Sequence, residues 1–274
     1  MSKTFMLDGQ TVPFSDGQTI IDAATEAGVY IPHLCHHPDY TPHGSCKLCS
    51  VIVNGRVCSA CTFPAAEGLD VQSHSDELNE DRKRITQMLF VEGNHLCPGC
   101  EKSGNCKLQA VAYHLNMLDN HFAHFFSPRK LDASHPDVLL DLNRCIFCTL
   151  CVRASREKDG KDVFAISGRG INKHLIANAE SGQLKDTDLE ATDQAAHICP
   201  TGAILIKRTG YTTPIGAREY DRQSIAQVSL EAESGSLPDS ALRTSKDGGN
   251  ADDCREQSRP PTLAVAGEGG RHDG

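Results

Sequence analysis

The spacing of apolar and polar positions changes period several times along the chain, and each change predicts an element. "TFML" and "QTVPF" alternate on either side of Asp8-Gly9, and an Asp-Gly pair between β-prone runs predicts a hairpin over residues 4–14 with a type I′ turn. The period then lengthens. Ile20 to Ala27 predicts a helix with Thr19 as its N-cap and Gly28 just past its end. "SVIV-NG-RVC" returns to alternation and predicts a second hairpin with Asn54-Gly55 at the tip. Hairpin, helix, cysteine loop and hairpin together predict an α+β unit.

Residues 75–92 predict an amphipathic helix ending at Gly93, with Leu78, Ile85, Met88 and Leu89 as its apolar stripe. A further helix is expected from Lys107 to Leu118, then a connector over 119–137 rich in His, Phe and Pro. From Val138 the chain predicts a strand ("VLLDL"), two β-prone runs ("DVFAIS", "KHLIAN"), a short helix near 190–198 and a final strand ("AILIKR"). "SGRGIN" (167–172) reads as a turn between strands. Beyond about residue 221 the sequence is rich in Ser, Gly, Asp and Glu, and the tail 222–274 is expected to be disordered.

Charge narrows the choice of partners. A net charge of −9 over 274 residues argues against nucleic acid or an anionic membrane surface. No run approaches the roughly 18–20 apolar residues of a transmembrane helix. The N-terminus has neither the apolar core of a signal peptide nor a twin-arginine pair, so a cytoplasmic location is expected. No G-x-G-x-x-G follows a strand, and no P-loop is present.

The thirteen cysteines change the picture most. In a reducing compartment they indicate metal or redox chemistry rather than disulfides, and twelve of them fall in three groups. Cys254 stands alone in the tail and is expected to be a free thiol. The first group is Cys35, Cys46 and Cys49, with Cys58 and Cys61 as alternative fourth members. Across a two-residue turn, Cys58 shares a sheet face with Cys49 but lies two rungs away; Cys61 is about one rung away with opposite parity.

The second group is Cys97, Cys100 and Cys106, with His95 two residues upstream. Three thiolates leave a vacancy at a four-ligand site, and imidazole can fill it. The third group is "RCIFCTLC", in which Cys145, Cys148 and Cys151 have two-residue gaps. A bacterial ferredoxin run would place a fourth cysteine where this chain has Ser155. In two-cluster ferredoxins that fourth cysteine ligates the other cluster. A chain keeping one such cluster would therefore take its last ligand from a distant Cys-Pro, and Cys199-Pro200 supplies it 48 residues after Cys151. Eleven cysteines and one histidine thus form three sets of four, the ferredoxin layout favouring iron–sulfur clusters over a zinc-stabilised scaffold.

The order of "ACTFPAAEGL", "CPGCEKSGNCKLQ" and "RCIFCTLCVRAS…CPTGAI" resembles the N-terminal iron–sulfur module of the G subunit of respiratory complex I. That module also occurs in iron-only hydrogenases and NAD-dependent formate dehydrogenases. "GRGINKHLIANAESGQL" and "KRTGYTTPIGAREYD" are similar to the diaphorase small subunit of bacterial NAD-reducing nickel–iron hydrogenases. The likeness covers about residues 1–221.

The resemblance implies a β-grasp 2Fe–2S domain (1–78) held by Cys35, Cys46, Cys49 and Cys61, the last favoured by its "AC-T-x-P" setting. It implies a 4Fe–4S segment (79–119) held by His95, Cys97, Cys100 and Cys106, and a ferredoxin-like 4Fe–4S domain (138–209) held by Cys145, Cys148, Cys151 and Cys199. Only Leu96 separates His95 from the next cysteine, where the related complex I proteins usually have three residues. Neither a molybdopterin-type nor a hydrogen-cluster domain is expected. The implied role is an electron relay between a diaphorase large subunit carrying FMN and NAD and the small and large subunits of a nickel–iron hydrogenase. The corresponding subunit of an NAD-dependent formate dehydrogenase or other NADH dehydrogenase complex is the related alternative.

Overall fold

In the computed structural model, which describes residues 3–119, 121–125 and 128–233, both predicted hairpins form around turns that only a few residue types tolerate. Asp8 and Gly9 have φ of 48° and 81°, the positive values that a type I′ turn requires. They join β1 (Lys3–Leu7) to β2 (Gln10–Phe14). Helix α1 (Ile20–Glu26) follows, and its cap is reciprocal: Thr19 Oγ1 accepts from the Asp22 amide while the Asp22 carboxylate accepts from the Thr19 amide. Asn54 and Gly55, at 46° and 79°, join β3 (Ser50–Val53) to β4 (Arg56–Ser59).

A short strand that the hydrophobic pattern does not announce, β5 (Asp70–Gln72), unites the hairpins. It runs parallel to β1 and antiparallel to β3, giving a five-stranded sheet of order β2-β1-β5-β3-β4. Phe5, Leu7, Val12, Ile20, Ile21, Val51 and Val71 form one core, and Cys49 and Cys61 belong to it. This is the expected β-grasp unit.

Helix α2 (Asp76–Glu92) starts at its cap Ser75, yet its buried face differs from the expected stripe. Met88 is 49% exposed, whereas Arg82 is 1% exposed. The Arg82 guanidinium donates from Nε to the Leu48 carbonyl at 3.0 Å and from Nη2 to the Ser50 carbonyl at 2.8 Å. A hydropathy pattern reads arginine as a surface residue. Here two main-chain carbonyls and, through Nη1, the Asn79 side-chain oxygen accept from it, which is the condition for burying it. Because Leu48 and Ser50 flank Cys49, α2 thereby fixes a cysteine loop. Helix α3 (Lys107–His114) ends before Leu118, and Asn116 just beyond it adopts a left-handed φ of 52°.

Strands β6 (Leu131–Asp132) and β7 (Val138–Asp141) precede helix α4 (Leu150–Arg153), which continues as a π turn to Lys158. Sequence pattern gave no sign of this helix. Strands β8 (Phe164–Ser167) and β9 (His174–Ala177) pair as a hairpin, and 168–172 of the expected turn lie in its connection while Ser167 ends β8. Helix α5 (Gln194–His197) leads to β10 (Ile204–Ile206), which pairs antiparallel with β7 in the sheet order β10-β7-β6.

The expectation of disorder from residue 222 is corrected at its start. Helix α6 (Ile225–Glu233) forms there, and Ile225 is buried with Leu34, Leu48, Phe90, Leu108 and Val111. An apolar face on this stretch outweighs its polar composition. Residues 234–274, including Cys254, lie outside the described residues. Among those described, no helix is long and apolar enough to cross a membrane.

Replacing Arg82 with Met should cost about 3 kcal/mol, since two buried carbonyls lose their donor. Met88→Ser should stay within about 0.5 kcal/mol, as for other exposed positions. Thermal melts followed by circular dichroism check this, and equal melting temperatures for the two variants would contradict the burial described.

Candidate metal centres

The loop between α1 and β3 carries three cysteines of the first group, and the β3–β4 hairpin returns the fourth. The Ala60 amide donates to the Cys49 carbonyl at 3.0 Å, extending the ladder by one residue. The chain then turns on Ser59, whose carbonyl accepts from the amides of Thr62 and Phe63 at 3.1 Å each. Cys61 is thus swung off the ladder, and its Sγ lies 3.3 Å from Cys49 Sγ. Parity along a strand ceases to apply where the strand ends. Cys58 stays within the ladder opposite Val51, so the structure gathers Cys61 into this group and leaves Cys58 out.

The Cys46 amide donates to Cys35 Sγ at 3.4 Å. The four thiols also perturb one another. The Cys61 thiol draws Cys49 down to about 7, the Cys46 and Cys61 thiols lower Cys35, and the Cys35 and Cys49 thiols raise Cys61. Cys35, Cys49 and Cys61 are fully buried.

His95, Cys97, Cys100 and Cys106 line one cavity, with Phe90, Leu108, Arg144 and Gly202 in its wall. His95 Nε2 is buried and has no hydrogen-bond partner. Burial lowers the pKa of this imidazole to about 4, so at neutral pH the ring is neutral and keeps a free lone pair. Its position depends on Gly93, where a Cβ would stand 2.4 Å from Nε2. Burial pushes Cys106 up to about 12. Three thiols around one cavity, with a buried imidazole nitrogen that lacks a partner, suit a metal cluster.

Cys145, Cys148, Cys151 and Cys199 line another cavity, walled by Ile146, Phe147, Ile166, Leu175 and Ile204. Phe147 and Thr149 take φ of 54° and 61°, curling the loop around this space. Burial raises Cys145 to about 12 and raises Cys148 and Cys151 as well. The β10–β7 pairing and α5 bring Cys199 back to the triplet. Ser155, where a ferredoxin would have cysteine, is buried in another role. Its Oγ donates to the Lys161 carbonyl at 3.1 Å and accepts from the Val163 amide at 3.0 Å. Among the described residues no cysteine is bridged, and no three His, Cys, Asp or Glu side chains converge as ligands of a single ion would.

Two arginines absent from the sequence-derived site connect the groups. Arg153 Nη2 donates to the carbonyls of Cys35 at 2.5 Å and Cys148 at 3.4 Å, while Nη1 donates to that of Thr41 at 2.8 Å. Arg144, immediately before Cys145, places Nη1 3.6 Å from Cys100 Sγ. Their only signal in the sequence is proximity: both flank the run "RCIFCTLCVR".

Known proteins show the same arrangement of parts. Residues 2–76 match the family described as 2Fe-2S iron-sulfur cluster binding domain. Residues 82–121 match the NADH-ubiquinone oxidoreductase-G iron-sulfur binding region, and residues 138–206 match the 4Fe-4S single cluster domain. Iron–sulfur domains of both types are therefore present. The chain is 43% identical to the gamma subunit of the NAD-reducing hydrogenase HoxS of Cupriavidus necator, over 85% of this chain and 99% of that one. A chain in the crystal structure of an NAD+-reducing NiFe-hydrogenase in the H2-reduced state matches with a TM-score of 0.81 and 52% identity, covering 84% of this chain and 99% of that one. The G subunit of NADH-quinone oxidoreductase from Rickettsia bellii is 26% identical over 84% of this chain, which spans 33% of that longer relative. The chain belongs to the family of gamma subunits of NAD-reducing hydrogenases, iron–sulfur proteins related to the G subunit of NADH-quinone oxidoreductase.

Proposed function

We propose that the chain passes single electrons between a diaphorase subunit carrying FMN and NAD and the small and large subunits of a nickel–iron hydrogenase, serving H2 + NAD+ = NADH + H+ in the cytoplasm. On this reading Cys35, Cys46, Cys49 and Cys61 hold one 2Fe–2S cluster within a unit spanning 1–78. His95, Cys97, Cys100 and Cys106 hold a 4Fe–4S cluster within 79–119, and Cys145, Cys148, Cys151 and Cys199 hold another within 138–209. The observation that carries it is the gathering of twelve donors into three separate sets. When bound, the clusters supply one-electron chemistry at potentials set by ligand type, charge and hydrogen bonding.

The packing around the three donor sets supports this reading. Cys35 packs in the same core as Val138, Leu150 and Phe164, whereas Leu34 and Leu48 pack with Phe90, Leu108 and Val111. The loop carrying the first donor set therefore touches the surroundings of both other sets. Burial favours the protonated thiols of Cys106, Cys145, Cys148 and Cys151, so metal loading at these positions displaces protons.

Electron paramagnetic resonance of the reduced, anaerobically purified complex tests the partition. Cys199→Ser should remove one 4Fe–4S signal and leave the other two centres; loss of all three, or of none, would contradict it. Cys61→Ser should abolish the 2Fe–2S signal while Cys58→Ser keeps it, and the reverse result would reassign the ligand. Purification through this chain should also recover a nickel-containing partner and a flavin-bearing one, and reproducible failure to recover nickel would count against the hydrogenase role.

A further inference from the structure

A polar seam lies between the His95 and Cys145 donor sets, and neither set needs it as a ligand. Arg144 precedes Cys145 in the chain but turns its guanidinium toward the other set. Its Nη1 lies 3.6 Å from Cys100 Sγ, 2.8 Å from Glu101 Oε2 and 3.5 Å from the Gly202 carbonyl oxygen. Its Nε lies 3.0 Å from Asp141 Oδ2. The Arg144 carbonyl accepts from Thr201 Oγ1 at 2.8 Å, and that oxygen is 3.6 Å from Cys199 Sγ. One residue therefore contacts a proposed ligand of one centre directly and the ligand loop of the next through its main chain.

Gly202 makes the approach possible. A Cβ there would stand 2.9 Å from Cys100 Sγ and 3.2 Å from Arg144 Nη1. The Arg144, Glu101 and Asp141 side chains are 19%, 31% and 10% exposed, so their charges act with less screening than at the open surface. A cationic donor on a thiolate sulfur withdraws electron density, and its charge favours the more electron-rich state of a nearby centre. The two carboxylates oppose that effect while holding the guanidinium in place.

Resting on the ligand assignment above, we infer that Arg144 is a positioning residue that acts through Cys100 Sγ and raises the reduction potential of the His95–Cys97–Cys100–Cys106 centre. The second centre thereby accepts an electron more readily than its acidic surroundings alone would allow. Ligand identity does not by itself set this value. It depends on a charge triad contributed from both sides of the seam.

Potentiometric titration of the intact complex, monitored by electron paramagnetic resonance, tests this with Arg144→Gln, Arg144→Lys and Glu101→Gln. Arg144→Gln should weaken reduction of the His95 centre about tenfold, which is about 59 mV for a one-electron couple. It should move the Cys145 centre less and leave the 2Fe–2S centre in place. Arg144→Lys should retain most of the wild-type value, and Glu101→Gln should shift the same centre in the opposite direction to Arg144→Gln. An unchanged potential in Arg144→Gln, or shifts of one sign in Arg144→Gln and Glu101→Gln, would overturn the inference. If Arg144→Gln fails to load the centre, Arg144→Met decides: a fall in the potential of the His95 centre supports the inference, and no fall overturns it. Wild-type complex lacking 4Fe–4S signals would instead defeat the ligand assignment itself.

Discussion

Closure of each donor set by a return of the chain is the constraint on which the rest of the structure depends. A cysteine triplet on one loop presents three sulfurs at most, and the fourth donor must be delivered by folding. The β3–β4 hairpin and the turn on Ser59 deliver Cys61 to Cys49 at 3.3 Å. Pairing of β10 with β7 brings back Cys199. In the second set the donors are close in sequence, and closure comes from the neighbouring unit, where the Lys107 amide donates to the Pro200 carbonyl at 2.9 Å and Gly202 lies against Cys100. Such buried donors gain their full value only when metal replaces their protons, so loading and folding are thermodynamically linked.

Three arginines secure these closures, and each uses main-chain carbonyls. Arg82, on helix α2, holds the carbonyls flanking Cys49. Arg153 joins the carbonyls of Cys35 and Cys148, which belong to different donor sets. Arg144 spans the remaining gap. A guanidinium suits these places because its planar fork offers five donors in fixed directions while its stem packs against apolar neighbours. The same features make a lysine a poor substitute for Arg82 and Arg153, each of which bridges two main-chain carbonyls.

What the sequence made legible were features decided within a few residues. Asp8-Gly9 and Asn54-Gly55 demand their turns, Thr19 with Asp22 makes its own cap, and cysteine spacing groups the donors before any fold is known. The features it concealed depend on distant partners. Arg82 lies on what a polarity pattern marks as a solvent face, because the carbonyls that satisfy it belong to a loop more than thirty residues earlier. β5 is too short to show a period and exists because two hairpin edges await it. The parity reasoning that left Cys58 and Cys61 open fails at the point where Cys61 leaves the ladder. Ser155 resembled a lost ligand, yet its hydroxyl closes the turn leading to β8.

The proposed relay needs three centres on one chain, each in its own cage of donors, and elemental composition addresses that most directly. Anaerobically purified complex should contain, attributable to this chain, about ten irons and as many acid-labile sulfides, the sum for one 2Fe–2S and two 4Fe–4S clusters. Stoichiometric zinc bound to this chain with no labile sulfide would contradict it.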